Sequence, residues 1–486
     1  MSPVLLLIPI LLPIVCGGLI LLKPIENTGK RNCFTMLVAC LTSVLALLLL
    51  FFARRESVTV YSFISGFSVG FRVDGMATLF AGMLALLWPP ALLYAYEYME
   101  RDHAQNVFFA FYLMTYGVAL GVAFAANLVT LYVFFEMLTL ITLPLVTHLQ
   151  NEDSLYAGRQ YMVYCIAGAA MAFIAVVTGT LDGSGDFLYG GNLAGEYAPE
   201  LMRAVFLFGF FGFGTKAALF PLYAWLPTAS VAPTPVTALL HAVAVVNAGF
   251  FTVARLTWYA YGPALLAGSW EQTVCVLVAA FSMVFAAAMA LRQRHFKRRL
   301  AYSTMSNLSY MLFGVALLTP EGLLGGVAHM LFHSAIKMSL FLCAGAFMHV
   351  TGREYLYELN GVGRRMPVTF ACYTLGALSL TGIPLFCGFV SKWKLLTAAL
   401  AAGTAASRIG AGALLTAAFF CAIYTLTVSI RAFFPMEGNG GFGAETHDPG
   451  WRMLLPICAF TAVNILFGIC STPVMALLSK IAEGVL

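Results

Sequence analysis

Along the stretch HMLFHSAIKMSLF, His329, His333 and Lys337 recur every four residues. On a helix that spacing puts the three side chains on one face over about 12 Å, a ladder of groups that each bind and release a proton. Two lysines elsewhere stand in apolar sequence beside helix-breaking residues: Lys216 in GFGTKAALFPLYAWLP and Lys392 in TGIPLFCGFVSKWKLL. Glu136 lies within LYVFFEMLTLITLPL and His241 within APTPVTALLHA. A lysine at the centre of a membrane helix costs about 2.5 to 3.5 kcal/mol on insertion scales, so an ionisable residue kept there is a functional candidate. The chemistry shared by these residue types is proton transfer. Blander readings stay open, because a histidine can bridge two helices by a hydrogen bond and a lysine near a span end can snorkel to the headgroups, as expected for Lys394. Zinc binding by the paired histidines is a further alternative, disfavoured because no carboxylate or cysteine accompanies them and Lys337 would repel a cation.

These residues need a scaffold and a solvent. The 486 residues are 61% hydrophobic and 10% charged, where soluble domains carry about 25% charged residues. So few charges cannot cover a water-soluble particle of this size, and the lipid bilayer is the expected surrounding. The net charge of +5 comes without basic runs interleaved with aromatics, so no nucleic acid is expected as a partner. The cysteines, Cys16, Cys40, Cys165, Cys343 and Cys421 among them, show no C-x-x-C spacing and read as small buried hydrophobes. The N-terminal run MSPVLLLIPILLPIVCGGLILL lacks a basic leader and a small-residue cleavage site, and reads as a retained spanning helix.

At roughly 20 residues per span, the chain divides into about fourteen transmembrane helices, which makes it an all-α polytopic membrane protein. Between the second and third spans, SVTVYSFISGFSVGFRVD alternates and reads as a hairpin on one membrane face. Loops after odd-numbered spans, with Arg31 and Lys297 counted there, carry about twice the Lys and Arg of loops after even-numbered spans, where Arg54, Arg55 and Arg255 are counted. The richer side is expected to be cytoplasmic, with both termini outside a plasma or inner membrane.

The seventh span, near 201 to 227, and the twelfth, near 367 to 403, share G-F-x-[ST]-K ending at Lys216 and Lys392. Prolines stand near both, Pro221 and Pro227 after the first lysine and Pro384 between Gly382 and Gly388 before the second. A unit of five helices copied in tandem inserts upside down, giving inverted repeats. The expected division is 1–105 for helices 1–3 with the hairpin, 106–258 for the first five-helix repeat, 272–434 for the second and 452–486 for helix 14. Proline removes a backbone bond, and freed carbonyls in a membrane are tolerated only where protein or water satisfies them. Helices 7 and 12 are therefore expected to be broken beside water-lined cavities, with packing kinks as the alternative.

FEMLTL around Glu136, K-A-A-x-F-P-L-Y-A-W-L-P-T-A from Lys216, APTPVTALLHA at 232–242, KRRLAYST at 297–304, the His329/His333/Lys337 ladder and GIPLFCGFVSKW at 382–393 together resemble the antiporter-like subunits of respiratory complex I, a family shared with multi-subunit cation/proton antiporters and energy-converting membrane hydrogenases. The resemblance spans about residues 70 to 430, with a looser match at FRVDGMATLF. It implies a fourteen-helix proton-translocating module in which Glu136 pairs with Lys216, His241, His329, His333 and Lys337 form a central polar axis, and Lys392 is the terminal lysine. Many members carry a lysine where this chain has Asn247, so that step would rest on His241, Asn247 and water. The family's acidic residue before K-R-x-L-A-Y-S is also missing, with His295 and Phe296 in that stretch.

The expected mechanism is a switchable ion pair. At about 4 Å and an effective dielectric near 20, Glu136 and Lys216 attract by about 4 kcal/mol, and at about 8 Å by about 2. The difference is comparable with the work of moving one charge through 100 mV, about 2.3 kcal/mol. Separation would make Lys216 the better proton donor, with onward passage through His241, Lys337, the histidines and Lys392. No dinucleotide, phosphate-loop, cluster or haem motif is present, so no cofactor or metal of its own is expected. The drive must come from other membrane subunits, including similar antiporter-like ones, either in a redox pump or in an exchanger that also moves Na+. A purely scaffolding role is the third reading.

Overall fold

The computed structural model describes residues 3–53, 56–64, 67–183, 185–435, 441–443 and 445–485. After a short 3-10 turn come α1 (Ile8–Leu22) and α2 (Thr28–Phe52), then an antiparallel hairpin of β1 (Ser57–Ile64) and β2 (Phe67–Arg72) with Ser57 opposite Arg72. Next are α3 (Gly75–Tyr98), α4 (Gln105–Phe124), α5 (Leu128–Val146), α6 (Glu152–Leu181), α7 (Pro199–Gly214), α8 (Trp225–Ala229), α9 (Thr234–Ala242) and α10 (Val245–Arg255). The last runs into a π turn at Leu256–Tyr261 and a short α11 (Pro263–Leu266). The chain continues through α12 (Trp270–Arg292), α13 (Phe296–Ala316), α14 (Pro320–Thr351), α15 (Pro367–Thr381), α16 (Cys387–Ala401), α17 (Ala405–Phe433), α18 (Trp451–Ile469) and α19 (Ser471–Ala482).

Among the described residues, 11 helical stretches are long and apolar enough to cross a membrane, and the protein is an all-α polytopic membrane protein. Relative to the expected division, the seventh and twelfth segments fall short because their helices are interrupted. The tenth, α13, is long enough at 21 residues but opens on Lys297, Arg298 and Arg299 and carries Ser303, Asn307 and Ser309 along its length. Helix ends are closed by local chemistry: Asn27, Asp74, Asn127, Asn151 and Thr319 each accept a first-turn amide. Lipid offers those amides no other partner.

Helix α14 is the axis of the bundle, packed against α3, α9, α13, α15, α16 and α18 and buried along nearly its whole length. The outer helices turn apolar side chains such as Leu22, Leu37, Phe51 and Phe419 outward, as lipid-facing helices do.

Several expectations need correction. Helix α7 stops at Gly214, before Pro221, and Pro227 lies inside α8, in the first turn where a missing N–H costs little. The eighth segment is also interrupted, between Ala242 and Val245, with no proline or glycine at the break. The last segment divides at Cys470. Arg31, Arg255 and Lys297, counted as loop cations, are buried, whereas Lys394 is exposed as expected. Arg54 and Arg55 lie outside the described residues, as do Ser65 and Gly66 at the hairpin tip. Cys33, Cys40 and Cys470 are exposed, and Cys16 is partly so.

Candidate functional site

Where α7 ends, residues 215–224 form turns instead of helix, and Lys216 sits in them fully buried. Trp225 Nε1 donates to Thr215 O at 2.8 Å, which satisfies one carbonyl released by the break. Gly249 of α10 lies against the backbone of Lys216 and Ala217, so closely that a Cβ there would collide with both. Clamped in this way, Lys216 Nζ donates to Phe135 O, lies 3.4 Å from the Phe135 ring centre and stands 3.8 Å from Glu136 Oε1. Glu136 is 26% exposed at its side chain, and its Oε1 has no hydrogen-bond partner among the described residues. This is an ion pair without a direct hydrogen bond, the kind that a small helix movement can lengthen.

The second break follows α15. Gly382 takes the left-handed conformation at φ 93° and ψ 43°, which ends the helix, and α16 begins at Cys387. Gly388 lets α16 approach the carbonyl of Ser379 where a Cβ would collide. Lys392 Nζ donates to Leu380 O at 2.6 Å and Thr381 O at 3.3 Å, the carbonyls left open at the end of α15. A cation there is also favoured by the negative end of the helix dipole.

The ladder residues on α14 are all fully buried. Lys337 Nζ donates to Leu300 O at 2.9 Å and to Ser303 Oγ. Asn307 Nδ2 donates to Ser303 O at 2.7 Å, which leaves its Oδ1 to accept from His329 Nε2 at 3.1 Å. Nδ1 of that ring then accepts from Ser391 Oγ at 2.8 Å, and Ser391 precedes Lys392. Polar groups thus connect Lys337 to the neighbourhood of Lys392. The His333 ring stacks 5.8 Å from that of His329, and neither His333 nitrogen has a partner among the described residues. His241 is in the same condition, its ring stacked 5.0 Å from that of Phe341, and Lys337 Nζ lies 5.8 Å from the same Phe341 ring. Burying unpartnered imidazoles is costly, and such groups call for water or a transferable proton.

Asn247 has an additional task. Its Nδ2 donates to Ala242 O at 2.7 Å and to Ser334 Oγ at 2.8 Å, closing the break between α9 and α10 and tying it to α14. Ser303, Asn307, Ser334 and Ser391 were not among the residues expected from sequence. For the first two a signal existed, since Ser303, Asn307 and Tyr310 recur on one face of a span unusually polar for lipid.

The family profile described as NADH:quinone oxidoreductase/Mrp antiporter, TM, matches residues 125–429. The chain belongs to that family. Every candidate residue named above falls within the matched segment. Relatives of this chain include an Na(+)/H(+) antiporter subunit of Alkalihalophilus pseudofirmus, 30% identical over 82% of this chain and 52% of the relative. NADH-quinone oxidoreductase subunit L of Mycobacterium tuberculosis is 30% identical over 82% of this chain and 62% of its own length. The chain thus spans only about half to two thirds of the length of these curated relatives. In fold it matches a chain of the archaeal membrane-bound sulfane sulfur reductase complex, with TM-score 0.86, 23% identity and coverage of 100% of this chain and 98% of that one.

Away from the lysines, Arg255 is fully buried at the end of α10 and grips Asp74 through two hydrogen bonds of 2.7 and 2.6 Å. Arg72 of β2 stands 3.8 Å from the same carboxylate and donates to Phe187 O. This clasp joins the hairpin, the start of α3, the loop after α6 and the π turn.

Proposed function

We propose that this chain is the proton-translocating membrane subunit of a complex-I-like, redox-driven ion pump, moving protons along Glu136, Lys216, His241, Asn247, Lys337, His333, His329 and Lys392. The observation that carries this reading is the lysine at each helix break with a buried polar ladder between them. Lys216 holds a lengthened ion pair with Glu136, and a withdrawal of a few ångströms weakens such a pair by about 2 kcal/mol. The proton that Lys216 then sheds would be handed on through a path that includes His241 and His333, whose ring nitrogens are buried with no hydrogen-bond partner among the described residues.

The division into two inverted five-helix repeats, 106–258 and 272–434, flanked by 1–105 and 452–486, belongs to the same proposal. It is supported by the matching breaks beside Lys216 and Lys392. The Lys/Arg bias favours a cytoplasmic odd-loop face, with both termini outside the plasma or inner membrane. Partner membrane subunits are expected on two grounds. The chain holds no motif for a driving reaction, and Glu136, midway along α5, keeps a partly exposed side chain that lipid would penalise and a neighbouring subunit would cover.

A second reading has its own support: with part of an Na(+)/H(+) antiporter among the relatives, the same path would run within a multi-subunit cation/proton exchanger. Purifying the complex from its native membrane tests both. Iron–sulfur or other redox subunits travelling with the chain, and proton transport that needs an electron donor, are expected for the pump. Small membrane subunits alone, with proton movement driven by a sodium gradient, would overturn it in favour of the exchanger.

A further inference from the structure

A cavity of about 410 Å3 opens between the start of α6, the turns after Lys216 and the start of α13, lined by Asp153, Tyr156, Tyr223, Thr228, Arg298 and Tyr302 among others. All three segments lie at the ends of odd-numbered spans. The cavity holds one carboxylate and one guanidinium, and among the described residues neither forms an ion pair. An aromatic strip continues from it along the outside of the bundle. The Tyr302 ring lies 6.4 Å from that of Tyr223, Tyr223 lies 5.2 Å from Phe285, and Phe285 stacks 5.8 Å from Phe281. Phe220 closes the strip from the side, 5.4 Å from Phe285 and 4.9 Å from Phe281. Phe281 is 52% exposed, so the strip is open to lipid. Phe285 and Phe281 stand roughly 10 and 16 Å from the Arg292 end of α12 at about 1.5 Å per residue. The charged end of the feature is therefore at headgroup level and the strip at the depth of acyl chains.

We propose that one phospholipid with a primary-amine headgroup binds here and braces the segment that carries Lys216, its phosphate on Arg298, its ammonium on Asp153 and an acyl chain along Phe285 and Phe281. A polar pocket continuous with a lipid-facing apolar strip matches an amphiphile, whereas a soluble phosphate would leave the strip bare. The paired signs select among lipids. A headgroup with no cation would bring nothing to Asp153, and a quaternary ammonium carries no N–H to donate to it. Tyrosine rings at the pocket suit this depth, where their amphipathic rings favour the membrane interface. The turns after Lys216 already have two supports, Phe220 N donating to Ser282 Oγ of α12 at 3.2 Å and Thr228 Oγ1 donating to Gln160 Oε1 of α6 at 3.3 Å. The lipid adds a third, across the opening between α6 and α13. Its binding needs only the membrane character of the chain, and its effect on transport rests on the proton-translocating reading.

The test begins with the assembled complex, stripped of lipid in detergent and titrated with phosphatidylethanolamine, phosphatidylcholine or phosphatidylglycerol, with bound lipid read by native mass spectrometry. Phosphatidylethanolamine is expected to bind the parent about tenfold more tightly than the other two. Asp153→Asn is expected to erase that preference, and Arg298→Gln to weaken all three lipids. A preference unchanged in both variants overturns the site, and so does soluble phosphoethanolamine competing as well as the whole lipid. A photo-crosslinker at position 281 is expected to capture lipid in native membranes, and capture of a neighbouring subunit instead overturns the occupant. In sealed vesicles, exchanging phosphatidylethanolamine for phosphatidylcholine is expected to slow proton transport several-fold in the parent and to leave Asp153→Asn unaffected. Equal slowing of both overturns the bracing role, since it would reflect the bilayer and not the site. Absence of proton movement in the parent overturns the wider reading, and the binding titration then still decides the lipid.

Discussion

The two broken helices present the same residue in different company. Lys216 faces a carboxylate 3.8 Å away on α5, whereas Lys392 is held by the carbonyls of Leu380 and Thr381 and, among the described residues, pairs with no carboxylate. Both keep an aromatic ring from a facing helix, with Phe135 centred 3.4 Å from Lys216 Nζ and Tyr310 centred 5.1 Å from Lys392 Nζ. The next residue along differs: Glu136 follows Phe135, and Met311 follows Tyr310. A facing charge can be withdrawn by shifting a helix. Carbonyl dipoles at a helix end cannot be withdrawn without unwinding that end. On the proposed path, the first break is therefore where outside force acts and the second is a fixed station near discharge.

The hardest blow to that contrast is Lys216→Ala. Proton transport in vesicles is expected to fall to background, a loss of about a hundredfold or more, with the complex still assembled on a native gel. Full pumping by this variant would take Lys216 out of the path and make the comparison of the two breaks meaningless.

Glu136→Gln sharpens the contrast because it preserves shape and removes only the charge. About a thirtyfold loss is expected, matching the roughly 2 kcal/mol by which a modest separation changes the pair. An unaltered rate would mean that the carboxylate at the first break does no more than the carbonyls at the second. The ladder between them has its own weak point at Asn307, whose amide both fixes the His329 tautomer and reaches the Ser303 carbonyl. Asn307→Leu is expected to slow transport several-fold and to destabilise the bundle by about 1 to 3 kcal/mol through the orphaned polar groups. A melting curve alongside the rate separates the two effects, and a destabilised protein with an undiminished rate would route the proton past His333 by water alone.

Much of this was legible because it follows local rules. A run of apolar residues sets a span, Gly382 with Pro384 ends a helix, and four-residue spacing aligns His329, His333 and Lys337. What stayed hidden depends on distant partners. Arg255 is a loop cation by position, and only its contact with Asp74, 181 residues away, explains its burial. Lys297 hides likewise against Ala232. The break between Ala242 and Val245 contains neither proline nor glycine and is bridged by the side chain of Asn247, which no periodicity announces. Ser303 and Asn307 do recur on one helical face, but single hydroxyls and amides in a membrane span usually serve packing, so that spacing alone does not mark a path.

Asn247→Lys is the mildest change and tests whether the break inside the eighth segment resembles the other two. At both lysine sites an ammonium donates to backbone carbonyls, Phe135 O in one case and Leu380 O with Thr381 O in the other. Asn247 already donates to such a carbonyl, Ala242 O, so a longer side chain ending in an amine has a partner within reach. The added charge stands close to Ser334 of α14, and on a proton path it can be shed to water or to the ladder. Transport within about threefold of the parent is expected, a change of well under 1.4 kcal/mol. A variant that fails to assemble would mean that Asn247 sits in dry packing, with its amide there only to splice α9 to α10.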